Sequence, residues 1–412
     1  MSALSLKYLK QFDRNLWILA GGWFVGALGF AASIPFLAIY FHGTLHLTTT
    51  EIGVFFGVMA IVRSLFQAVG GELSDRIGRV GLMIHSQYWR AASFLAMGFA
   101  IDFDLGFWPV AALFTVNAIF GAFFMPAVNA LVSDILPAQK RLDGYAITRA
   151  AGNFGWAAGP AIGGFLAHSS YGTLFFLSAV VTLGSGLIFQ FAFKAPPRQV
   201  TKESFKFSDL LEVRKDKVLA GHCVLVLMLY LVVAQLVAPF SVYTVEMVGI
   251  AEAQLGLLFT INGLMVTLLQ LPATRLLGNT RFTTQLAVGS FLYLIGYGIL
   301  GFFTHYSFFI LVIVVITTGE MIMSPPSITL TSRLAPEGRI GRYMGVYGFF
   351  VTLGWSFGPL YGGLFLDRFS HRPAVAWMLI SSLALLSGAG YLWFGRRLPD
   401  TLNRRGDEAT SE

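Results

Sequence analysis

Charge is what this chain has least of. Asp, Glu, Lys and Arg make up 12% of its 412 residues, about half of the roughly 25% found in soluble domains. The deficit is concentrated, because residues 15–41 and 105–133 contain none of the four. Runs of that length exceed the ~20 apolar residues needed to cross the hydrocarbon core of a bilayer, which excludes a soluble globular fold. The runs are continuous, without the polar–apolar alternation of transmembrane strands. Cysteine is almost absent: Cys223 stands alone, so there is no internal disulfide and no thiol metal or redox motif. No G-x-x-x-x-G-K-[ST] phosphate loop occurs, so ATP-driven work would need a partner. Paired carboxylates and His/Cys clusters are missing too, which leaves a membrane enzyme without machinery. The G-x-S-x-G pattern at Gly354–Gly358 needs a strand-to-helix elbow to make a hydrolase, and it falls inside an apolar span. The first apolar run is too long for a cleaved signal and lacks a small-residue cleavage pattern, so it is expected to be mature structure.

What is present divides into twelve predicted helices, near 15–41, 52–72, 82–101, 107–133, 142–167, 172–193, 218–247, 254–277, 283–303, 307–332, 342–366 and 373–395. The predicted architecture is therefore an all-α membrane protein with 12 transmembrane helices in two parallel-related six-helix bundles. Its expected domains are residues 1–193, a cytoplasmic linker at 194–217 that carries Pro196 and Pro197, and residues 218–412 with a short tail. The termini, the even-to-odd connections and the linker hold 23 of the 28 cations, whereas the opposite loops hold only Arg368 and Arg372. By the positive-inside rule both termini are expected to be cytoplasmic. The net charge of +7 then reflects topology, and no nucleic-acid partner is expected.

The two halves repeat. Gly155-Trp156, Gly159-Pro160 and Gly163-Gly164 recur as Gly354-Trp355, Gly358-Pro359 and Gly362-Gly363 at a constant offset of 199 residues, and Gly53 and Gln67 recur more weakly as Gly256 and Gln270. Glycines four apart let helix backbones approach closely, and a proline removes an intrahelical hydrogen bond and bends its helix. The motif is expected either to pack helices statically or to bend one so that it seals one side of a cavity. Parallel repeats are a transporter architecture with the binding site near the midplane.

Between spans two and three stands Gly71-Glu72-Leu73-Ser74-Asp75-Arg76-Ile77-Gly78-Arg79. This resembles the G-x-L-x-D-R-x-G-R loop of the major facilitator superfamily, and with the twelve spans, the repeat and the linker the resemblance covers the whole chain. It implies a cytoplasmic latch of Gly71, Asp75, Arg76, Gly78, Arg79 and Asp134, with Asp75 capping span eleven and Arg79 paired to Asp134. Gly155 to Gly164 is similar to the fifth-helix motif of the superfamily's 12-helix drug/proton antiporters, although Ala146 stands where that motif has an earlier glycine. Those antiporters often carry an arginine in span four, where the nearest polar residue here is Asn117.

An ionisable side chain inside a span costs about 2.5–3.5 kcal/mol on insertion scales, so each one needs a reason. Arg63 and Gln67 share a face of span two with Ser74, and Arg149 shares one of span five with Asn153. Glu320 lies mid-way along span ten, and Asn117, Gln235 and Asn262 are isolated in spans four, seven and eight. The resemblance places spans one, two, four, five, seven, eight, ten and eleven around the cavity. It thereby implies Arg63, Gln67, Asn117, Arg149, Asn153, Gln235, Asn262 and Glu320 as cavity residues. The bland expectation is that Glu320, Arg63 and Arg149 each pair with a polar neighbour and only hold the bundle together. Arg90, on peripheral span three, is expected to snorkel to the interface or to pair structurally, and His222 to be interfacial. Glu320 is the acid deepest in any span and the expected proton-coupling residue. The leading expectation is a secondary active antiporter for proton-coupled efflux of small amphipathic molecules by alternating access. The alternative is a carrier of an anionic metabolite or lipid headgroup using Arg63 and Arg149. Either would be a monomer in a bacterial inner membrane, working on a small molecule and protons, with no cofactor or metal beyond the proton gradient.

Overall fold

The computed structural model describes residues 11–137, 140–194, 216–336 and 340–404; most of the expected 194–217 linker lies outside them. The described residues form twelve long helical segments: α1 Arg14–Ile39, α2 Thr49–Ile77, α3 Arg79–Asp102, α4 Phe107–Ile135, α5 Arg141–Ala167, α6 Tyr171–Ala192, α7 Lys217–Val233, α8 Glu252–Leu276, α9 Phe282–Gly298, α10 Tyr306–Leu334, α11 Ile340–Arg368 and α12 Pro373–Gly395. Ten segments, counted with their irregular extensions, are long and apolar enough to cross a membrane. The two that fall short of that measure are α3 and α5. In lipid every backbone polar group must find its partner within the protein, and a helix achieves this internally.

Helix starts follow local chemistry. Thr48 and Glu51 form a reciprocal capping box on α2, with Thr48 N donating to Glu51 Oε2 at 2.8 Å and Glu51 N donating to Thr48 Oγ1 at 3.2 Å. Asp216 accepts from Val218 N and Leu219 N at 2.9 and 3.0 Å to start α7. Two boundaries differ from expectation. The loop motif is almost all helix: α2 runs to Ile77, α3 begins at Arg79, and Gly78 alone turns the chain at φ 99°, a conformation that glycine adopts without Cβ strain. The single predicted seventh span is interrupted. α7 ends at Val233, followed by a 3₁₀ turn at Ala234–Leu236, a short helix at Pro239–Val242 and a π turn at Tyr243–Met247. Pro239 has no N–H to continue the ladder, and the Gln235 amide donates instead to the carbonyls of Leu231 and Gly358 at 2.6 and 2.8 Å.

Contacts divide the chain into two compact units. The first is Met1–Phe41, Ile61–Lys202 and Ala251–Gly263; the second is His42–Ala60, Glu203–Ile250 and Leu264–Glu412. In the first unit α1 lies along α5. A methyl added at Gly155 would sit 2.6 Å from the Phe24 carbonyl oxygen, and one at Gly159 would sit 2.7 Å from that of Leu28. Gly163 meets the Ala32 carbonyl in the same way, and Gly164 meets that of Glu252 at the start of α8. Gly256 in turn lies against the Pro160 carbonyl. The second unit repeats the scheme: Gly354 and Gly358 would place methyls 2.5 Å from the Cβ atoms of Tyr230 and Ala234 on α7 and its continuation, Gly362 meets Gln235, and Gly363 meets Thr49 at the start of α2. A methyl at Gly53 would sit 2.6 Å from the Pro359 carbonyl oxygen. Glycine is needed at most of these positions because backbone or a Cβ fixed to it is what approaches, and at Gly362 it makes room for the Gln235 side chain.

Candidate functional site

The polar residues on α2 and α5 remain open. Arg63 is equidistant from the two ends of the 29-residue α2 and exposed, as are Gln67 on the same helix and Arg149 and Asn153 on α5. Neither Arg63 nor Arg149 has a hydrogen bond or ion pair among the described residues. Asn262 on α8 is half-buried and has a polar or ring contact.

Asn117 and Gln235, expected to line a cavity, are fully buried and serve as ties between helices. Asn117 Nδ2 donates to Arg90 O at 3.2 Å and to Ser93 Oγ at 2.9 Å, joining α4 to α3. Gln235 joins the continuation of α7 to α11 through the Gly358 carbonyl, and Gly362 leaves the space that its side chain fills.

Of the two courses expected of Arg90, snorkelling or structural pairing, the side chain takes the second. It stands near the middle of α3 and is only 4% exposed, which rules out snorkelling. Its Nη1 donates to Gln87 Oε1 at 2.9 Å and its Nε to Asn117 Oδ1 at 3.5 Å. Its guanidinium carbon lies 5.2 Å from the centroid of the Phe30 ring on α1. A methyl at Gly121 on α4 would be in ordinary contact with Nε at 3.5 Å, so the guanidinium packs directly against α4 there. The cation thus lies among α1, α3 and α4, beside Asn117.

In the second unit Glu320 is equidistant from the ends of the 29-residue α10 and half-buried. Further along α10, Ser327 Oγ donates to Tyr347 Oη at 2.9 Å. His222 is fully buried, where an interfacial position was expected. One ring nitrogen faces Thr331 Oγ1 at 3.0 Å and the other faces Tyr391 Oη at 3.2 Å, and the ring stacks on Tyr347. This network ties α7, α10, α11 and α12 together. Its only sequence signal was a lone histidine five residues from a charge-rich linker, which says nothing of depth.

Of the latch residues, the side chains of Gly71, Asp75 and Arg76 lie outside the described residues. Gly78 makes the turn, and Arg79 Nη1 pairs with Asp134 Oδ2 at 2.5 Å, with both side chains largely buried. At the other ends of these helices, the Asp367 carboxylate at the end of α11 accepts from Thr49 N at 3.0 Å and Thr50 N at 2.6 Å, stabilising the positive N-terminus of α2. At the equivalent place in the first unit, His168 Nδ1 lies 3.6 Å from Glu252 Oε2. No group of three or more His, Cys, Asp or Glu able to hold a metal occurs among the described residues.

Helical repeats packed by glycine, with ionisable residues held mid-helix, define a polytopic membrane transporter. A family model described as Major Facilitator Superfamily matches residues 19–359 and 223–410, and the chain belongs to that superfamily. It is 24% identical over 432 aligned positions to a Na(+), Li(+), K(+)/H(+) antiporter of Planococcus maritimus, covering 93% of this chain and 96% of that one. It is 24% identical over 372 positions to the quinolone resistance protein NorA of Staphylococcus aureus, covering 88% and 92%. Among solved structures, the nucleoside transporter NupG aligns with a TM-score of 0.78 at 12% identity over 94% of this chain and all of that one, a likeness of fold alone. The chain is an integral membrane protein of a transporter family.

Proposed function

We propose that this protein is a proton-coupled antiporter that exports small amphipathic molecules by alternating access from the inner membrane of a bacterium, with both termini cytoplasmic and Arg79–Asp134 as part of a cytoplasmic latch. The observation that carries the reading is Glu320, a half-buried carboxyl at the midpoint of α10. A carboxyl that exchanges its proton as its surroundings change binds proton and substrate in competition, which is what an exchanger requires. The names of the cation/proton antiporter and of the quinolone resistance protein support the same reading by kinship. Glu320→Gln keeps the side-chain shape and removes the titration. In proteoliposomes it is expected to exchange substrate passively and to lose accumulation driven by a pH gradient. A variant that still concentrates substrate when only protons drive it refutes the role of Glu320.

A second reading, a carrier for anions, is favoured by Arg63 and Arg149, mid-helix cations with no hydrogen bond or ion pair among the described residues. Arg→Ala at either is expected to abolish anion binding and to leave a cationic substrate unaffected; normal anion binding by both variants refutes it.

A further inference from the structure

After α12 the chain folds back onto the second unit. A short helical turn, Asp400–Asn403, is pinned there by the fully buried Asn403. Asn403 Oδ1 accepts from Thr283 N at 3.0 Å and its Nδ2 donates to Thr283 Oγ1 at 2.9 Å, at the start of α9. A methyl on Gly395, at the end of α12, would collide with Thr283 Oγ1, so glycine lets the three segments meet. Arg333, in the last turn of α10, donates through Nη1 to the carbonyls of Thr401 and Arg404 at 3.0 and 2.5 Å and lies over the Phe282 ring. Asp400 stands between two more cations, its Oδ1 2.9 Å from Arg281 Nη2 and its Oδ2 3.7 Å from Arg404 Nε. Three guanidinium groups thus gather at one turn, and among the described residues Asp400 is the only carboxylate paired to any of them. Positive charge is in excess, and both Asp400 oxygens are already engaged. Arg281 and Arg404 keep 40% and 51% of their side-chain surface exposed, so an anion can reach them. Arginine is the side chain best shaped for bidentate recognition of phosphate. The depth of the cluster favours lipid as the source. Trp393, exposed near the end of α12, carries the Arg397 guanidinium 3.9 Å from its ring centroid, and exposed tryptophan at a helix end marks the bilayer–water interface. Two residues further on, Gly395 lies against Thr283 and Asn403, which sets the three arginines at the level of the headgroups. A phosphate tethered there meets them at high effective concentration, and basic clusters at helix ends bind such headgroups.

We propose that Arg281, Arg333 and Arg404, gathered by the Asp400–Asn403 turn at the ends of α9 and α10, bind the phosphate of an anionic phospholipid, one whose charge no choline cation offsets. Such a site does not depend on what the protein carries. Native mass spectrometry of the full chain in an uncharged detergent resolves the first lipid bound and compares dioleoyl-phosphatidylglycerol with dioleoyl-phosphatidylcholine. The phosphatidylglycerol is expected to bind at least fivefold more tightly. Arg404→Gln and Arg281→Gln are each expected to lower its affinity about fivefold, the equivalent of ~1 kcal/mol for one arginine beside an anionic lipid, and Arg404→Lys to keep part of it. Arg404→Gln leaves in place the backbone carbonyl that Arg333 holds and both Asn403 bonds, so it reports on binding rather than on docking of the turn. Arg14→Gln makes the same charge change at the start of α1 and is expected to leave the affinity unchanged. No preference for phosphatidylglycerol in the parent, an unchanged affinity in Arg404→Gln, or an equal loss in Arg14→Gln overturns the proposal. Displacement of the lipid by ammonium phosphate at equal concentration assigns the arginines to free phosphate and overturns the lipid source. Lipid binding that emerges only when residues 405–412 are removed assigns them to the chain's own Asp407 and Glu408 and overturns it as well.

Discussion

Replacing Gly159 by alanine tests whether the repeated glycines hold helices at backbone distance. The new methyl carbon would lie 2.7 Å from the Leu28 carbonyl oxygen, 2.8 Å from Ala31 Cβ and 2.8 Å from Ala32 N. None of these atoms belongs to a side chain that can rotate away. Reaching even the tight end of ordinary contact, 3.4 Å, requires α1 to retreat by about 0.7 Å, and α1 is held by the same geometry at Gly155 and Gly163. Forcing a methylene-sized group into a packed interface costs about 1–3 kcal/mol. Gly21→Ala is the matched control, because a methyl there has nothing within 4 Å and gains the helix propensity of alanine, about 0.5–1 kcal/mol. The two variants are thus expected to differ by about 1.5–4 kcal/mol in reversible unfolding by SDS in mixed micelles. A Gly159→Ala protein as stable as Gly21→Ala refutes the packing argument and leaves the repeat as sequence echo.

Gly53→Ala and Gly256→Ala place methyls against the backbones of Pro359–Leu360 and Pro160–Ala161; at about 1–3 kcal/mol each they are expected to open the α2–α11 and α5–α8 seams, read as increased labelling of cysteines introduced at Thr50 or Ala253. Unchanged labelling in folded variants counts against those seams. Arg79→Gln leaves the largely buried Asp134 carboxylate without its described partner and is expected to cost about 3–5 kcal/mol, most of it recovered in the double variant with Asp134→Asn. Additive losses in that cycle refute the pairing. Asp367→Asn weakens the anionic cap on α2 and is expected to cost about 0.3–1 kcal/mol, with a larger effect at low salt; no salt dependence argues against it.

The fold was legible where its physics is periodic. Long charge-free runs announce spans, and an offset of 199 residues repeated through Gly155, Gly159, Pro160, Gly163 and Gly164 announces a duplicated helix. What each glycine touches was not legible, because one chain read alone does not pair its helices. The weaker Gly53 and Gly256 echo turns out to be the partner of the stronger motif: Gly256 lies on the Pro160 carbonyl and Gly53 on that of Pro359. The π and 3₁₀ turns after α7 escaped notice for a similar reason. Pro239 marks a break in any apolar run, but the Gln235 amide that takes up backbone carbonyls there draws its second acceptor from α11.

The site shows the same limit more sharply. Residue counting placed Arg90 a turn or two inside a peripheral span, near enough to water for its long stem to reach it. The helix in fact begins at Arg79, so Arg90 stands near its middle, and the side chain turns inward, where Gln87, Asn117 and Phe30 receive it. Counting along α4 likewise found no arginine, only Asn117, although a guanidinium delivered from α3 stands beside that residue. Chemistry in a helical bundle belongs to a volume rather than to a helix, and a side chain as long as arginine supplies that volume from a neighbouring helix.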